Sequence, residues 1–533
     1  MKLYNDSDFD VDDPNVLTQE YQRNRDIIWK RPHQMVKRPY IIHEGADRHD
    51  IRQGELGDCW FLSSISAVAN QSNLMHKVIF DPDIPLYGQG YNGRVRFRFW
   101  RFGEWTTVEI DDQLPVFEGD YRLVYARSSN PDEFWVPLLE KAYAKLNGSY
   151  NNLEGGMASD ALVDLTGGLC HVYYTSTDDP EMLYEELSAA ASNSGCMITC
   201  GTDGDWRSND ESWRTTTGLL PGHAFTITDV EQIEVDRGKK HEKLIRVRNP
   251  WGLGVEWQGK WNDSDKRSWD RVDRATKKHL QFKNQEDGEF WMSYHDFRKH
   301  FEDVTICTLA PDLDDDGHAD SHIPPAKMIR AEWRKGASAG GSRNNLKSFV
   351  TNPQFLLVVD EDEESHYYNR DGHSSTTPTT SVIISVMQQD FYKTSNTRRN
   401  GGYQIGFIIY GANPENPKKR LESDYFLHNY EVAASGPHCD QREISGSYNV
   451  PPGKYIILPS TFQKDQAGTF LFRIWSEKPV SLSLLPGHDG KSDLSDDQPG
   501  EKSRHKRGSK NRRDSDGRSS RKKSSKSSSC TIM

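Results

Sequence analysis

The sequence feature that most constrains this chain is a glycine-punctuated loop that runs directly into a helix. The loop begins at Gln53 and contains two glycines, and hydrophobic residues recur at helical spacing from Trp60 onward. Cys59 is therefore predicted at the start of the helix, where the helix dipole and unpaired N–H groups favour thiolate over thiol. Gln53 supplies a side-chain amide suited to an oxyanion. The alternative for Cys59 is a buried structural cysteine beside a core aromatic residue.

Length and composition predict a multidomain protein from a reducing compartment. A chain of 533 residues is too long for one ordinary domain, so about two to four domains are expected. There is no run of about 18 apolar residues, and the first residues are acidic, so neither a membrane-spanning helix nor a signal peptide is expected. Seven cysteines at irregular spacing, without a CxxC pair, argue against a disulfide framework and a zinc site.

Local patterns predict two regular elements in the first half. Arginines alternate with apolar residues over 94–99, and Phe102-Gly103-Glu104 follows, so a hairpin continuing to Asp111 is expected. An apolar stripe from Trp135 to Leu146 predicts a helix that Asn147-Gly148 ends. Glycine pairs at 155–156 and 167–168 are predicted hinge points. A helical first half and a second half richer in strands are expected to meet near residues 150–170.

The second half supplies a histidine and an asparagine whose sequence contexts match that of the cysteine. His223 begins a strand-like run between two small residues, which are expected to leave the imidazole accessible. Asn249 ends another predicted strand, where Pro250 stops the ladder. In papain-like thiol proteases, which have the same Cys, His, Asn order, the thiolate attacks, the imidazole holds and returns the proton, and the amide oxygen fixes the imidazole tautomer. Each residue taken alone also fits an ordinary structural role.

Several longer strings of the sequence make the pattern more specific. They are QGELGDCWFLSSISAVA, DEFWVPLLEKAYAKLNGSY, PGHAFTIT, IRVRNPWG and EDGEFWMSYHDF. On these strings the chain resembles the calpains, which are calcium-activated cytosolic cysteine proteases. Residues 328–480 resemble the β-sandwich that follows the protease core in calpains, and their short β-branched and aromatic runs agree with it. The resemblance implies an α+β papain-like two-lobed protease core, an antiparallel β-sandwich domain and a disordered basic tail.

The resemblance and the composition together divide the chain into six segments. The protease core is split into a helical lobe that carries Cys59 and a β-rich lobe that carries His223 and Asn249. The predicted segments are an N-terminal arm (1–38), lobe 1 (39–155), lobe 2 (156–312), a linker (313–327), a C2-like β-sandwich (328–486) and a basic tail (487–533).

The calpain core binds two Ca²⁺ ions, one in each lobe, and the resemblance carries over the ligand positions residue by residue. Carboxylate and carbonyl oxygens are the ligands that Ca²⁺ prefers. Binding of the ions would rotate the lobes and bring Cys59 to His223. The implied ligands of the first ion are the carbonyls of His43 and Gly45 with the carboxylates of Asp50 and Glu133, and those of the second are Glu256, Asp263, Asp287 and Glu289 with the carbonyl of Gln285.

Three positions are implied to switch the core between its states. Arg48 and Glu289 match a family pair that bridges the lobes once calcium is bound. Trp251 matches a tryptophan that wedges between the lobes when calcium is absent. Such a hinge responds to the ions only because they bind the closed state better than the open one.

Two acidic segments lie outside the core. The five acids at 360–364 form either an exposed solubilising loop or, as in the calpain sandwich, a loop that binds Ca²⁺ or basic surfaces. The segment Asp312–Gly317 comes nearest to an EF-hand loop, but Ile323 stands where the closing carboxylate is needed. The chain thus departs from conventional calpains, which end in an EF-hand domain, and no small-subunit partner is implied.

The tail is predicted to attach the protein to a membrane. Residues 502–533 hold 12 Lys and Arg against two Asp, whereas the whole chain has a net charge of -12. The last four residues fit the C-a-a-X pattern, which predicts farnesylation of Cys530. With the basic flank, this predicts binding to anionic lipid at the cytoplasmic face of a membrane. The alternatives are an unmodified polar tail, a nuclear-localisation signal or a nucleic-acid-binding patch, although no nucleic-acid partner is expected.

The function expected from the sequence is that of a calcium-activated intracellular cysteine endopeptidase that makes limited cuts in protein substrates. Three alternatives belong to other classes. A catalytically silent, calcium-responsive membrane scaffold would have a dead site, yet Cys59, His223, Asn249 and Gln53 are all present. A transglutaminase-like acyltransferase would share the thiol chemistry but carry an aspartate in place of Asn249. A lipid-binding module with an incidental enzyme core is the third.

Overall fold

The structure is a computed structural model that describes three regions with separate hydrophobic cores. The described residues are 3–22, 26–43, 45–193, 195–204, 216–252, 256–309, 326–360, 379–389, 402–476 and 478–495. The predicted linker 313–327, the acidic run after Asp360, the segment Asp312–Gly317 and Cys530 lie outside these residues, except for 326 and 327.

The first region is a helical lobe in which small two-stranded sheets surround the helices. Its helices are α1 (Pro32–Met35), α2 (Cys59–Ala69), α3 (Ser72–Val78), α4 (Trp135–Leu146) and α5 (Ala158–Thr166), with 3-10 turns at Pro14–Val16, Arg48–Asp50 and Tyr150–Leu153. Its strands are β1 (Ile27–Lys30), β2 (Ile51–Arg52), β3 (Arg94–Arg101), β4 (Glu104–Asp111), β5 (Leu114–Phe117) and β6 (Arg127–Ser128). Phe61 of α2 stacks on Tyr143 of α4 with ring centroids 4.1 Å apart, so these two helices form the centre of the core.

The predicted hairpin and the predicted helix are both confirmed. Strands β3 and β4 pair from Arg94↔Asp111 to Arg101↔Glu104. Phe102 and Gly103 join them with φ of 51° and 96°, the positive values that a two-residue hairpin turn of type I′ requires. Helix α4 has the predicted bounds, and Pro137 falls in its first turn, where its missing N–H costs nothing.

The second region is built on one antiparallel sheet. Its strands are β7 (Leu169–Tyr174), β8 (Cys196–Thr202), β9 (Ala224–Val235), β10 (Lys240–Arg248), β11 (Glu289–Ser293) and β12 (Phe301–Thr308), in the order β11-β10-β9-β8-β12-β7. Its helices are α6 (Pro180–Ser192), α7 (Lys266–Trp269), α8 (Arg274–His279) and α9 (Tyr294–His300). His223 immediately precedes β9 and Asn249 immediately follows β10. Because these two strands are antiparallel neighbours, both residues lie at the same end of the sheet, on the side of the first lobe.

The third region consists of two antiparallel sheets around a common core. The first sheet has the order β13 (Lys327–Trp333), β21 (Gly468–Ser476), β15 (Thr380–Gln388) and β19 (Glu443–Val450). The second contains β14 (Phe355–Val359), β16 (Gln404–Gly411), β17 (Ala433–Ala434), β18 (Cys439–Asp440), β20 (Gly453–Thr461) and β22 (Val480–Leu484), with helices α10 (Leu346–Phe349) and α11 (Ser423–His428) beside it. This arrangement is consistent with a β-sandwich.

Helix α5 connects the two lobes of the core. Its apolar face, including Leu162 and Leu165, packs into the first hydrophobic core. Gly167 ends the helix with a φ of 71°, a left-handed conformation that favours glycine. The packing therefore indicates that the chain passes from the first lobe to the second at the predicted hinge 167–168. The domain bounds themselves stay predictions.

The start of the tail at residue 487 stays a prediction, but the structure describes 487–495 and gives these nine residues contacts with the third region. Asp493 is fully buried, its carbonyl accepts the Glu332 N–H at 2.9 Å, and its carboxylate pairs with Arg334. Leu494 forms an isolated bridge with Ala331 of β13. These long-range contacts, which composition does not reveal, hold 487–495 against the sandwich.

Candidate active site

The cysteine stands where the sequence predicted it, at the first residue of α2. The glycine-rich loop before it passes close to the neighbouring chain, since a Cβ at Gly54 would lie 2.2 Å from the carbonyl oxygen of Tyr125. Trp60 donates its indole N–H to the carbonyl of Leu153 at 2.9 Å, which fixes the start of the helix. Cys59 is half-buried and faces a cavity of about 1120 Å³ between the lobes.

The histidine and the asparagine form a hydrogen-bonded pair in the same cavity. Nε2 of His223 lies 3.0 Å from Oδ1 of Asn249. Because the amide oxygen only accepts, Nε2 carries the hydrogen, and Nδ1 is left to accept a proton. The Asn249 oxygen also accepts the Trp251 backbone N–H at 3.0 Å, which holds the amide in this orientation. Cys59, His223, Gln53 and Trp251 all line the cavity.

One expectation about the reactive groups is wrong. The imidazole of His223 is not accessible: the residue is 6% exposed, between the rings of Phe225 at 4.9 Å and Trp251 at 5.5 Å. Burial lowers the pKa of His223 to about 4 and raises the pKa of the Cys59 thiol to about 11. At Cys59 burial thus opposes the effect of the helix dipole, and the predicted thiolate stays a prediction.

Gln53 lies beside the cysteine and bridges the two lobes. Its backbone N–H donates to the carbonyl of Pro250 at 3.2 Å, and its side-chain amide donates to the carbonyl of Leu56 at 2.7 Å. An amide nitrogen carries two hydrogens, so one is engaged by Leu56 and the other can serve an oxyanion in the cavity. The position is consistent with the predicted role, which stays a prediction.

Arg48 and Glu289 lie within ion-pair distance, while their bridging of the lobes once calcium is bound stays a prediction. Nε of Arg48 in the first lobe lies 3.3 Å from the carboxylate of Glu289 on β11. The same carboxylate forms an ion pair with Arg246 at 2.9 Å and accepts a hydrogen bond from the Thr228 hydroxyl at 2.6 Å. Coulombic attraction from the two guanidinium groups keeps the pKa of Glu289 below its usual value despite burial.

Sequence reasoning missed Arg246 and Thr228. Arg246 could have been found, because it alternates with Arg248 along β10 and shares a strand pair with β11, where Glu289 lies. The predicted wedge residue, Trp251, is half-buried, and its ring stands edge-on to that of His223.

The implied calcium ligands of the first lobe lie close together. A Glu133 carboxylate oxygen accepts the His43 N–H at 2.8 Å, and the charge of Asp50 acts on Glu133. Burial raises the pKa of Glu133 to about 7, with Asp50 raising it further. Gly45 has a φ of 98°, which turns the chain at this position. A cation here would offset the repulsion between the two carboxylates.

The implied ligands of the second lobe form a similar acidic group. Burial raises the pKa values of Glu256 and Asp263 to about 7, and the charge of Asp287 raises both further. Asp263 accepts the Gln285 N–H at 3.3 Å. Glu289 differs, because its carboxylate is occupied by arginines. Among the described residues no three His, Cys, Asp or Glu side chains are arranged as a ready-made metal site. The donors, carboxylates and carbonyls, are nevertheless those that fit Ca²⁺.

No helix in the described part of the chain is long and apolar enough to cross a membrane.

Comparison with known proteins places most of the chain in one family. A family model for calpain family cysteine proteases matches residues 4–308, and a model for domain III of the calpain large subunit matches residues 329–475. Calpain-9 from Homo sapiens is 39% identical over 489 residues, which are 91% of this chain and 66% of that protein. Calpain-A from Drosophila melanogaster is 37% identical over 475 residues, 88% of this chain and 55% of that protein.

A third relative, the calpain-1 catalytic subunit of Gallus gallus, is 36% identical over 482 residues, 89% of this chain and 65% of that protein. This chain spans between 50% and 66% of the length of such curated relatives. The protease model alone covers more than half of the chain and includes Cys59, His223 and Asn249. The chain therefore belongs to the calpain family of cysteine proteases.

Proposed function

We propose that this protein is a calcium-activated cysteine endopeptidase that makes limited cuts in protein substrates. The observation that carries the proposal is the hydrogen bond of 3.0 Å between His223 Nε2 and Asn249 Oδ1, in a cavity that Cys59 and Gln53 also line. That bond leaves Nδ1 as the imidazole atom that exchanges a proton. The cavity is large enough for a segment of extended polypeptide.

The proposed reaction follows from the roles that these atoms can take. Nδ1 of His223 takes the proton of the Cys59 thiol, and the thiolate attacks the peptide carbonyl carbon. The oxyanion is stabilised by the Gln53 amide and by the backbone N–H of Cys59 at the helix N-terminus. The imidazolium returns its proton to the amine that leaves, and a water molecule, deprotonated by His223, releases the acyl group as a carboxylic acid. Asn249 holds the ring orientation throughout.

Calcium enters the proposal as a regulator and not as a reactant. His43, Gly45, Asp50 and Glu133 would hold one ion, and Glu256, Asp263, Gln285 and Asp287 would hold the other. Bound Ca²⁺ supplies positive charge between carboxylates whose pKa values are raised by burial and by one another. Because Glu289 is occupied by Arg48 and Arg246, its proposed part is the contact between lobes.

Cleavage of fluorescent casein tests the proposal. The full-length wild type should cleave casein in calcium and not in excess chelator, while Cys59→Ser should be inactive in both. Asn249→Asp is the matched variant for the acyltransferase alternative, and incorporation of a labelled amine into casein is its readout. Equal cleavage in calcium and chelator would contradict calcium activation but leave the peptidase assignment standing. Activity in Cys59→Ser would contradict the peptidase assignment itself.

We further propose that Cys530 is prenylated and that the lipid and the basic tail hold the protein at the cytoplasmic face of a membrane. The support is the sequence Cys530-Thr531-Ile532-Met533 with its basic flank. Fractionation of cells expressing the wild type and Cys530→Ser tests this. A Cys530→Ser protein that stays in the membrane fraction would contradict the lipid anchor.

A further inference from the structure

Two buried acids lie behind the catalytic cysteine, and the mechanism above gives neither a role. Asp58 immediately precedes Cys59 and is 0% exposed, and Glu140 on α4 is 1% exposed. Glu140 accepts the backbone N–H of Ala126 with its two oxygens, each at 3.1 Å. Asp58 is the N-cap residue of α2, where an aspartate ordinarily accepts a hydrogen bond from the first turn, yet its side chain accepts none.

The Asp58 carboxyl turns toward Glu140 instead of toward the helix. The two carboxyl groups are in hydrogen-bond contact with each other. In the described part of the chain, no residue other than Glu140 and the backbone N–H of Asp58 itself donates to the oxygens of Asp58. Two ionised carboxylates cannot remain in contact in a low-dielectric interior, so the contact requires a proton.

The groups that surround Asp58 and Glu140 strengthen the case that the two acids need a proton. Glu154 acts on Asp58 from the loop after the Tyr150–Leu153 turn, and Tyr125, Tyr150 and the Cys59 thiol also face the pair. Among the described residues no cation acts on either acid. A lysine or arginine could have neutralised the second charge, and a proton is the remaining means.

We propose that Asp58 and Glu140 share one proton, and that this acid pair keeps a second negative charge away from the Cys59 thiol. The inference rests on the proposed peptidase function, for which Cys59 must ionise. Asp58 and Glu140 are positioning residues, since neither lines the cavity that substrate would occupy.

The charge on Asp58 bears directly on the nucleophile. A negative Asp58 raises the pKa of the Cys59 thiol, because a thiolate next to a carboxylate is disfavoured. Burial raises the pKa of Asp58 to about 7 and that of Glu140 well above its usual value. Acids with raised folded-state pKa values bind more protons folded than unfolded. Their contribution to stability is therefore lost as the pH rises through the folded-state pKa, near 7 for Asp58.

Thermal unfolding of the full-length protein at several pH values tests the shared proton. The wild-type midpoint should fall by about 3 to 6 °C between about pH 6 and about pH 9 through this pair. In Glu140→Gln the amide donates permanently to Asp58 while its oxygen still accepts from Ala126, so this part of the fall should be absent. Glu154→Gln removes a nearby carboxylate outside the pair and should keep the wild-type slope. Parallel curves for the wild type and Glu140→Gln would overturn the proposal.

Alkylation of Cys59 by iodoacetamide tests the effect on the nucleophile. Asp58→Asn should raise the rate at pH 7 about tenfold, the change that one pKa unit gives, after subtraction of the Cys59→Ser background. If Asp58 and Glu140 only supported the fold, Asp58→Asn and Glu140→Gln would leave the alkylation rate of Cys59 unchanged or alter it equally. Either result would also overturn the proposal.

An infrared measurement on the wild type keeps the test valid if a variant does not fold. Protonated carboxyl absorption should persist at neutral pH, where Glu133, Glu256 and Asp263 also contribute, and should disappear above it. Complete absence of this absorption at neutral pH would overturn the shared proton. None of these readouts needs peptidase activity. Failure of the shared proton is therefore distinguishable from failure of the proposed function, which the casein assay reports.

Discussion

The contact between the two lobes and the contact between the core and the sandwich both contain ion pairs, but the ion pairs differ in burial. Between the lobes, Nε of Arg48 lies 3.3 Å from the carboxylate of Glu289, and the Arg48 side chain is 20% exposed. Between the core and the sandwich, Arg442 lies 2.7 Å from Asp164, with exposed fractions of 5% and 1%. Although Glu289 is 1% exposed, Arg246 also contacts its carboxylate, so the partly exposed Arg48 can exchange this partner for water at low cost. At the second interface the buried Arg442 guanidinium contacts both Asp160 and Asp164, so opening it removes a neutralising charge that water cannot replace. The first interface is therefore suited to movement and the second to permanence.

The permanent interface lies at the point where the two lobes join. Arg473 of β21 donates to the carbonyls of Gly167 and Gly168 at 3.0 Å each, just beyond the end of α5. These carbonyls have no partner within the helix, so a cation is favoured there. The Arg473 guanidinium also lies over the ring of Trp100, 4.7 Å from its centroid. The sandwich thus fixes the hinge segment at Gly167 and Gly168. The contact of Arg48 with Glu289 lies outside this fixed segment.

Loss of Arg442 should have the largest effect. Arg442→Ala leaves the buried Asp164 with one guanidinium, that of Arg101, and removes Arg442 from both the carboxylate of Asp160, at 3.0 Å, and its carbonyl, at 2.9 Å. We expect the free energy of unfolding to fall by about 3 kcal/mol. Thermal unfolding followed by tryptophan fluorescence measures it. The matched control is Arg343→Ala, which breaks an ion pair whose side chains are 34% and 40% exposed and should cost less than about 1 kcal/mol. Equal losses in the two variants would remove the distinction between the interfaces.

A second expected effect is acid sensitivity at the permanent interface. His171 lies on β7, which packs against β19 of the sandwich. Its Nδ1 is buried without a hydrogen-bond partner in the described part of the chain, and burial lowers its pKa to about 4. Between that value and the unfolded value of about 6.5, the unfolded state binds more protons, so stability falls as the pH falls through this window.

Replacement of His171 should therefore make the protein less sensitive to acid. His171→Gln should recover about 2 kcal/mol of the stability that the wild type loses between about pH 7 and about pH 4. Unfolding midpoints across that range are the measurement. His279→Gln is the control, because His279 is 68% exposed and should not change the slope. If both variants follow the wild-type curve, His171 is not the group that titrates.

Local sequence patterns predicted the elements whose partners are near in the chain. The hairpin β3–β4 and the helix α4 have the expected positions because alternation, a buried stripe and an Asn-Gly end are local signals. The cysteine helix and the family followed from long sequence strings. The shift of the Cys59 pKa did not follow from the sequence, because it depends on burial in the folded chain.

The charged contacts across the interfaces could not be predicted for a related reason. Arg442 and Asp164 are 278 residues apart, and nothing near either residue marks it as buried. An arginine is by default expected to face solvent. The contact of Asp58 with Glu140 is hidden in the same way, since an aspartate before a helix is ordinarily its cap. Such pairs become visible only when the elements are packed.

The smallest expected change in stability, with a distinct change in function, is at the movable interface. Arg48→Ala removes one partner of Glu289 but leaves Arg246 at 2.9 Å, so no buried charge is left unpaired. We expect an unchanged unfolding midpoint and an increase of about fivefold in the calcium concentration for half-maximal casein cleavage, equivalent to about 1 kcal/mol of coupling. Arg122→Ala, which breaks an exposed pair with Glu55 in the same lobe, should change neither quantity. Arg442→Ala should show the reverse pattern, with lower stability and an unaltered calcium requirement. If Arg48→Ala lowered the midpoint and left the calcium requirement unchanged, the lobe contact would be as permanent as that of the sandwich, and calcium would have to act elsewhere.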